Sequence, residues 1–250
     1  MKFLGIIPSR YASTRFPGKP LADFAGKPMI RKVYESVVAA LDDVLVATDD
    51  RRIFEAVENF GGKVVMTSPD HKSGTDRCAE ALDRFEKNSS EKYDVVINIQ
   101  GDEPFIRIDQ IETICECFSD LNTEIATLIK KIEDNAIVFD PNRPKVVIDK
   151  KGFALYFSRS PIPAIRDIEN KEWHTKHTFY QHIGMYAYRS YVLRELSFLP
   201  QGLLEKAESL EQLRWLENGY KIKTAITEFE SYGIDTPEDL ERAVKLGLLK

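Results

Sequence analysis

Arg10, Arg15 and Lys19 fall within one stretch, FLGIIPSRYASTRFPGKPL (3–21), and sit among small or turn-forming residues: Ala12, Ser13, Thr14, Pro17, Gly18. A loop of this composition can turn its cations and its backbone amides onto one anion, and guanidinium and ammonium groups together suit a polyphosphate. A single cation would read as a solvated surface group. Three of them directly after an apolar run point to a binding loop. Two other phosphate loops are excluded. A P-loop ends in Gly-Lys-Ser/Thr, whereas Gly18-Lys19 is followed by Pro20, and the dinucleotide fingerprint needs three spaced glycines where this stretch has only Gly5 and Gly18.

A second chemical candidate is Asp102, at the end of VVINIQGDEP (95–104). Gly101 allows close backbone approach. An isolated Asp at that place caps a turn; on the same face as a cationic phosphate loop, its carboxylate suits Mg²⁺, a hard ion held by one or two carboxylates together with substrate phosphates. Ser73, Gly74, Thr75 and Asp76 form a third cluster, at the start of a helix. It reads equally as capping by Ser73 or Thr75 and as a receptor for an anion or a polar base edge, and the two readings are compatible. His174 and His177 have a metal-ligand spacing but sit among polar residues, which favours a surface reading. Cys78, Cys115 and Cys117 contain no C-x-x-C and read as packing residues.

These residues need a scaffold, and the hydrophobic pattern supplies one. Phe3–Ile7 reads as a strand buried on both faces and ended by Pro8. An amphipathic helix follows over Pro28–Leu41, with Ile30, Val33, Val37, Val38 and Leu41 on its apolar side. Strands at Val44–Thr48 and Lys63–Thr67 flank a helix over Arg51–Phe60, and a further helix runs from the Ser73 cluster to about Lys87. Strand and helix alternating at this spacing give right-handed parallel crossovers and a doubly wound sheet, whose ligands sit at the carboxyl ends of the strands. Farther on, Glu124–Ile132 continues the sheet, and Val146–Ile148 with Phe153–Ser158 read as an antiparallel hairpin. Glu205–Glu217 reads as one amphipathic helix with Leu210, Leu213 and Leu216 as its stripe. Lys221–Glu228 is a returning strand, and Thr236 caps a last helix with Pro237 at its first position.

With 250 residues, 43% hydrophobic and 30% charged, the chain can bury roughly 70 to 75% of its unfolded surface. Lys and Arg total 35 against 40 Asp and Glu, a formal charge of -5, which argues against nucleic acid or anionic lipid as a partner. No apolar run approaches a membrane span, and Pro8 and Arg10 cut the first run too short for a signal peptide, so a cytoplasmic location is expected.

Taken together, IPSRYASTRFPGKPL, DHKSGTDR, NIQGDEP, ALYFSRSPIP, HIGMYAYR, LEQLRWLENG and GIDTPEDLERA resemble, in order and along the whole chain, the 3-deoxy-D-manno-octulosonate (Kdo) cytidylyltransferases, the CMP-Kdo synthetases of lipopolysaccharide synthesis. The first loop is common to many nucleotidyltransferases; its combination with YFSR, H-x-G-x-Y and LEQLR is specific. Ser9 stands where the family usually has alanine, and Asp76 where it usually has glutamate.

The resemblance implies an α/β, Rossmann-like nucleotidyltransferase fold with a mixed central sheet flanked by helices and a β insertion in the second half. It implies one domain over 1–250, with 1–135 mainly nucleotide-binding, 136–235 mainly sugar-binding and dimerising, and 236–250 a C-terminal helix. It implies the substrates CTP and Kdo, and Mg²⁺ held by Asp102 and Asp235. Arg10, Lys19, Asp102 and Asp235 would be catalytic. CTP would be met by Arg10, Ser13, Arg15, Lys19, Ser73, Arg77 and Gln100. Kdo would be met by Arg159, His182, Tyr186, Glu211 and Gln212; residue type alone makes His182 and Tyr186 core and the last two helix-surface polars. A homodimer is expected from the family and from SPIPAI (160–165), which would otherwise expose Ile162 and Ile165. The rival readings are a cytidylyltransferase for another sugar acid, such as sialic acid, and a non-catalytic nucleotide-binding module.

Overall fold

The computed structural model describes residues 1–12, 15–230, 233–234 and 236–245, without the side chains of 244 and 245. In chain order its elements are β1 (Phe3–Ser9), a 3-10 turn (Lys19–Leu21), the two-residue strands β2 (Asp23–Phe24) and β3 (Lys27–Pro28), α1 (Met29–Val38), β4 (Val44–Thr48), α2 (Arg51–Asn59), β5 (Val64–Met66), α3 (Gly74–Asn88), β6 (Val95–Asn98) and α4 (Ile108–Glu116). They continue with β7 (Ile125–Lys131), α5 (Asn135–Phe139), β8 (Lys145–Ile148), β9 (Ala154–Ser158), α6 (Trp173–Lys176), β10 (Tyr180–Arg189), α7 (Ser190–Leu196), α8 (Leu203–Glu208), α9 (Gln212–Glu217), β11 (Ile222–Ile226) and α10 (Pro237–Lys245). None of the described helices is long and apolar enough to cross a membrane.

The chain forms two compact units: Met1–Glu112 with Ala187–Ser197 and Ser231–Lys250, and Thr113–Tyr186 with Phe198–Glu230. Both units are discontinuous in sequence. A boundary of that kind leaves no linker composition to read.

In the first unit β1 pairs with β4 on one side and β6 on the other, and β4 pairs with β5, all in parallel. Pro8 does not end β1: it stands opposite Ala47, and Ser9 opposite Thr48. Gly5 donates to Asp43 on the β4 side while Ile6 accepts from Ile99 on the β6 side. Alternation puts Pro8 on the β6 side, beyond the last residue β6 pairs there, so its missing N–H costs no ladder bond. On α1, Met29, Ile30, Val33 and Val37 are buried, but Val38 is 48% exposed. It lies about 100° around the helix from Val37 and leaves the apolar stripe.

In the second unit β7 and β11 run parallel in the register Ile125↔Ile222 to Ile129↔Ile226. The expected hairpin forms: β8 and β9 pair antiparallel, and β8 also pairs antiparallel with β10, which makes the fold a mixed α/β one. Asp149 closes the hairpin turn, its Oδ1 accepting from the N–H groups of Lys151 and Phe153, both at 2.8 Å.

Residues 205–217 are not one helix. Ser209 adopts a left-handed conformation (φ 52°) and separates α8 from α9. Across the break, Arg214 donates to both carboxylate oxygens of Glu205, at 2.8 and 2.7 Å, and to Leu199 O at 3.1 Å. In a continuous helix nine residues apart means roughly 13.5 Å along the axis, so this pair requires the break. The stripe shifts accordingly: Leu213 and Trp215 are buried, and Leu216 only half-buried.

Candidate active site

The first unit carries a cavity of about 360 Å³ lined by residues from the carboxyl ends of β1 and β6, by the cationic loop and by the first turn of α3. Pro8, Ser9, Arg10, Arg15 and Lys19 come from the first strand and its loop; Gln100, Gly101 and Asp102 follow β6; Gly74 and Arg77 belong to α3. Gly18 (φ 73°) takes the backbone conformation only glycine adopts without strain, and its N–H donates to Tyr11 O at 3.0 Å, closing the loop. Gly101 passes so close to β1 that a Cβ there would lie 3.0 Å from both Pro8 O and Ser9 Oγ.

Lys19 is almost fully buried and its Nζ donates to Asp102 Oδ2 at 2.7 Å. The pair joins the two candidates 83 positions apart that the sequence singled out separately. Asp102 keeps about a third of its side chain exposed. Its main-chain carbonyl accepts from Ile234 N–H at 2.8 Å, which fixes the residue before Asp235 against Asp102. Asp235 and Ser13 lie outside the described residues. Arg10 is exposed, with Nε 4.0 Å from Asp49 Oδ2. Arg15 is exposed and Gln100 half-buried.

Two expected nucleotide contacts already have structural work. Ser73 caps α3, its Oγ accepting from Asp76 N–H at 3.1 Å. Arg77 is 1% exposed, and its guanidinium donates to Thr67 Oγ1 at 2.5 Å and Asp49 Oδ2 at 2.8 Å. Asp49 is the residue that sequence reasoning missed. It stands one position past β4, at a carboxyl strand end, so the rule that selects Asp102 would also have selected it. Because Asp49 faces both Arg77 and Arg10, Asp49→Asn removes the charge that aligns them. The KM for the nucleotide should rise about 10-fold, the scale of one charged hydrogen bond. Steady-state kinetics at saturating second substrate checks this, and an unchanged nucleotide KM would assign Asp49 to stability alone.

The five residues expected at the sugar acid all belong to the second unit. His182 is half-buried against two aromatic neighbours, with ring centroids 5.2 Å from Phe157 and 5.1 Å from Tyr186, and burial of the imidazole pushes it down to about 3. It is neutral at physiological pH. Thr127 Oγ1 lies 2.9 Å from His182 Nε2 and 2.8 Å from Met185 O. The single hydroxyl proton goes to the carbonyl, which assigns the ring proton to Nε2 and leaves Nδ1 as an acceptor. Tyr186 is buried and packs edge-on to Trp215 at 4.9 Å.

Glu211 and Gln212 stand at the start of α9, a place created by the break at Ser209. Glu211 lies 3.7 Å from Arg214 Nη2. Gln212 is 4% exposed, and its Nε2 has no hydrogen-bond partner among the described residues. Arg159 is half-buried, and its guanidinium donates to three main-chain carbonyls: Glu208 O, Pro141 O and Ser209 O.

Elsewhere, the segment SPIPAI does not supply the bare apolar face expected of it. Ile162 and Ile165 are half-buried, and Ile165 packs on the cluster of Ile132, Val138 and Phe179. His174 hydrogen-bonds Asn135, while His177 is exposed. Burial pushes the Cys117 thiol up to about 11, as befits a packing residue.

A cytidylyltransferase family model matches residues 4–222. The 3-deoxy-manno-octulosonate cytidylyltransferase of Parabacteroides distasonis is 62% identical over 98% of this chain and 97% of its own length. That of Bacteroides thetaiotaomicron is 59% identical over 97% of each chain. A solved CMP:2-keto-3-deoxy-manno-octonic acid synthetase complexed with CTP superposes with a TM-score of 0.90 at 43% identity, covering 99% of both chains. With likeness to them along nearly its full length, the chain belongs to the cytidylyltransferase family, among the 3-deoxy-manno-octulosonate cytidylyltransferases.

Proposed function

We propose that this protein transfers CMP from CTP to Kdo, releasing pyrophosphate, with CTP held by the first unit and the sugar acid read by the second. The observation that carries the reading is the Lys19–Asp102 contact of 2.7 Å on the wall of the cavity behind β1 and β6. A cation and a carboxylate on that wall support a reading in which the phosphates of the nucleotide lie against them. Arg10, Arg15 and Lys19 offset the triphosphate charge. The anomeric hydroxyl of Kdo attacks the α-phosphorus, its proton is lost, and the bond to the β-phosphate oxygen breaks so that pyrophosphate leaves with the electron pair. Such a reaction depends on positioning and on cations aimed at the phosphate oxygens.

The donor set suits Mg²⁺. Asp102 offers a hard, partly exposed carboxylate on the cavity wall, and Asp235 follows the Ile234 bond to Asp102. When bound, the ion would neutralise phosphate charge and increase the acidity of the attacking hydroxyl. In the second unit, Arg159 would meet the Kdo carboxylate, while His182 Nδ1 and the Gln212 amide would meet its hydroxyls.

Pyrophosphate release, followed for each nucleoside triphosphate against Kdo and sialic acid with Mg²⁺, tests the reading. Stoichiometric pyrophosphate and a CMP-linked sugar are expected from CTP and Kdo. Turnover with sialic acid alone, or with no sugar acid, would overturn it.

A further inference from the structure

Arg159 is held at every polar group it has. Its N–H donates to Glu208 Oε2 at 2.9 Å, and its carbonyl accepts from Lys145 Nζ at 2.8 Å. Its guanidinium donates through Nε to Glu208 O at 2.7 Å, through Nη1 to Pro141 O at 3.0 Å and through Nη2 to Ser209 O at 3.2 Å. Guanidinium has five N–H donors, so among the described residues one remains on each terminal nitrogen. A carboxylate can accept from both terminal nitrogens, and the guanidinium that offers them is already held by three carbonyls before any ligand arrives.

The group common to these contacts is Glu208. Its Oε2 accepts from Arg159 N–H, its Oε1 accepts from Ser158 Oγ at 2.7 Å, and its carbonyl takes the Arg159 Nε–H. Ser158 is 3% exposed, and its Oγ already accepts from Ser160 N–H at 3.0 Å, so its own proton is directed to Glu208. Glu208 is also the last residue of α8, immediately before the left-handed Ser209 that sets the start of α9 and with it Glu211 and Gln212. Lys145, fully buried, ties Arg159 O to Asp140 O from the other side.

We infer that Glu208 is a positioning residue for sugar-acid recognition: its carboxylate fixes the backbone from which Arg159 projects, its carbonyl takes the Arg159 Nε–H, and it ends the helix before the junction presenting Glu211 and Gln212. The inference rests on the assignment of Arg159 to the Kdo carboxylate. Glu208 itself touches no substrate and acts through its neighbours.

Steady-state kinetics of four variants, with CTP and Kdo varied separately, test it. Glu208→Ala removes both acceptors and should raise the KM for Kdo about 10-fold or more, with the KM for CTP within about 2-fold of wild type. Glu208→Gln keeps an acceptor for the Arg159 N–H and should recover much of the loss; should the alanine variant not fold, this variant must still show the selective rise. Arg159→Lys tests the assignment underneath, and the Arg159→Lys/Glu208→Ala double variant should be little worse than Arg159→Lys alone. If Arg159→Lys leaves the Kdo KM unchanged, the carboxylate assignment is wrong and the inference falls with it. If Arg159→Lys raises that KM but neither Glu208 variant does, the positioning role alone is overturned. Equal rises for both substrates in the Glu208 variants would also overturn it, because they would report a general loss of packing.

Discussion

Asp102→Asn is expected to lower turnover roughly 100-fold or more, comparable to losing one preorganised charge-stabilising group, while the protein stays folded. Asparagine keeps an oxygen for the Lys19 ammonium, which now lies 2.7 Å from the carboxylate, but it gives up the negative charge. Lys19, no longer neutralised, would bind the triphosphate at least as well, so the KM for CTP should stay level or fall while kcat drops. That split separates a charge needed during the reaction from one needed only for binding. The loss should also be partly relieved at raised Mg²⁺, since a weaker oxygen donor remains. Asp235→Asn should resemble it, and the double variant should be little worse than either single one, because residues serving one ion act as a unit. The backbone bond from Ile234 to Asp102 supports this coupling. Turnover measured across a Mg²⁺ series decides: a near-wild-type kcat for Asp102→Asn, or two modest defects that simply multiply, would show that the two carboxylates do not share an ion.

Glu205→Ala should destabilise the fold by about 3 to 5 kcal/mol, the usual consequence of leaving one member of a buried ion pair without its partner. Glu205 and Arg214 are 5% and 9% exposed, and the guanidinium forks onto both carboxylate oxygens. Glu205 Oε2 also accepts from Gly202 N–H at 3.2 Å, at the start of α8. Removing it takes away the bidentate partner of the guanidinium, which keeps Leu199 O and the more distant Glu211 carboxylate at 3.7 Å, and releases the contact that folds α9 back along α8. Replacing both members, as Glu205→Leu with Arg214→Met, should recover much of the loss, since a well-packed apolar pair avoids the desolvation that the ions incur. Urea unfolding of the three proteins gives the comparison. A Glu205→Ala midpoint indistinguishable from wild type would mean that the pair contributes nothing to stability.

Much of this molecule is legible in the chain because it is set by near neighbours. The alternation of β1, α1, β4, α2 and β5 follows from the period of the apolar residues, and each observed element lies within a few residues of its expected span. The start of α10 is equally local: Thr236 Oγ1 accepts from Asp239 N–H at 3.2 Å, and Asp239 Oδ2 accepts from Thr236 N–H at 3.0 Å, the reciprocal cap that Thr-Pro-Glu-Asp encodes. The cationic loop and Asp102 could be singled out because residue type and a position just beyond a strand suffice to nominate them.

What the tertiary structure decided is the pairing of groups far apart in sequence, for which local pattern carries no signal. That Lys19 closes on Asp102, that Asp49 takes the second end of Arg77, and that Arg159 spends three donors on carbonyls depend on separations of 83, 28 and up to 50 positions. The same holds for the helix expected over 205–217. Its apolar period permits one continuous helix; the break at Ser209 is selected because only then can Arg214 reach Glu205 and Trp215 become buried. A local preference worth tenths of a kilocalorie per residue yields to a buried ion pair and a buried indole, and so the residues proposed to read the sugar acid stand at the start of a helix that the sequence alone does not begin there.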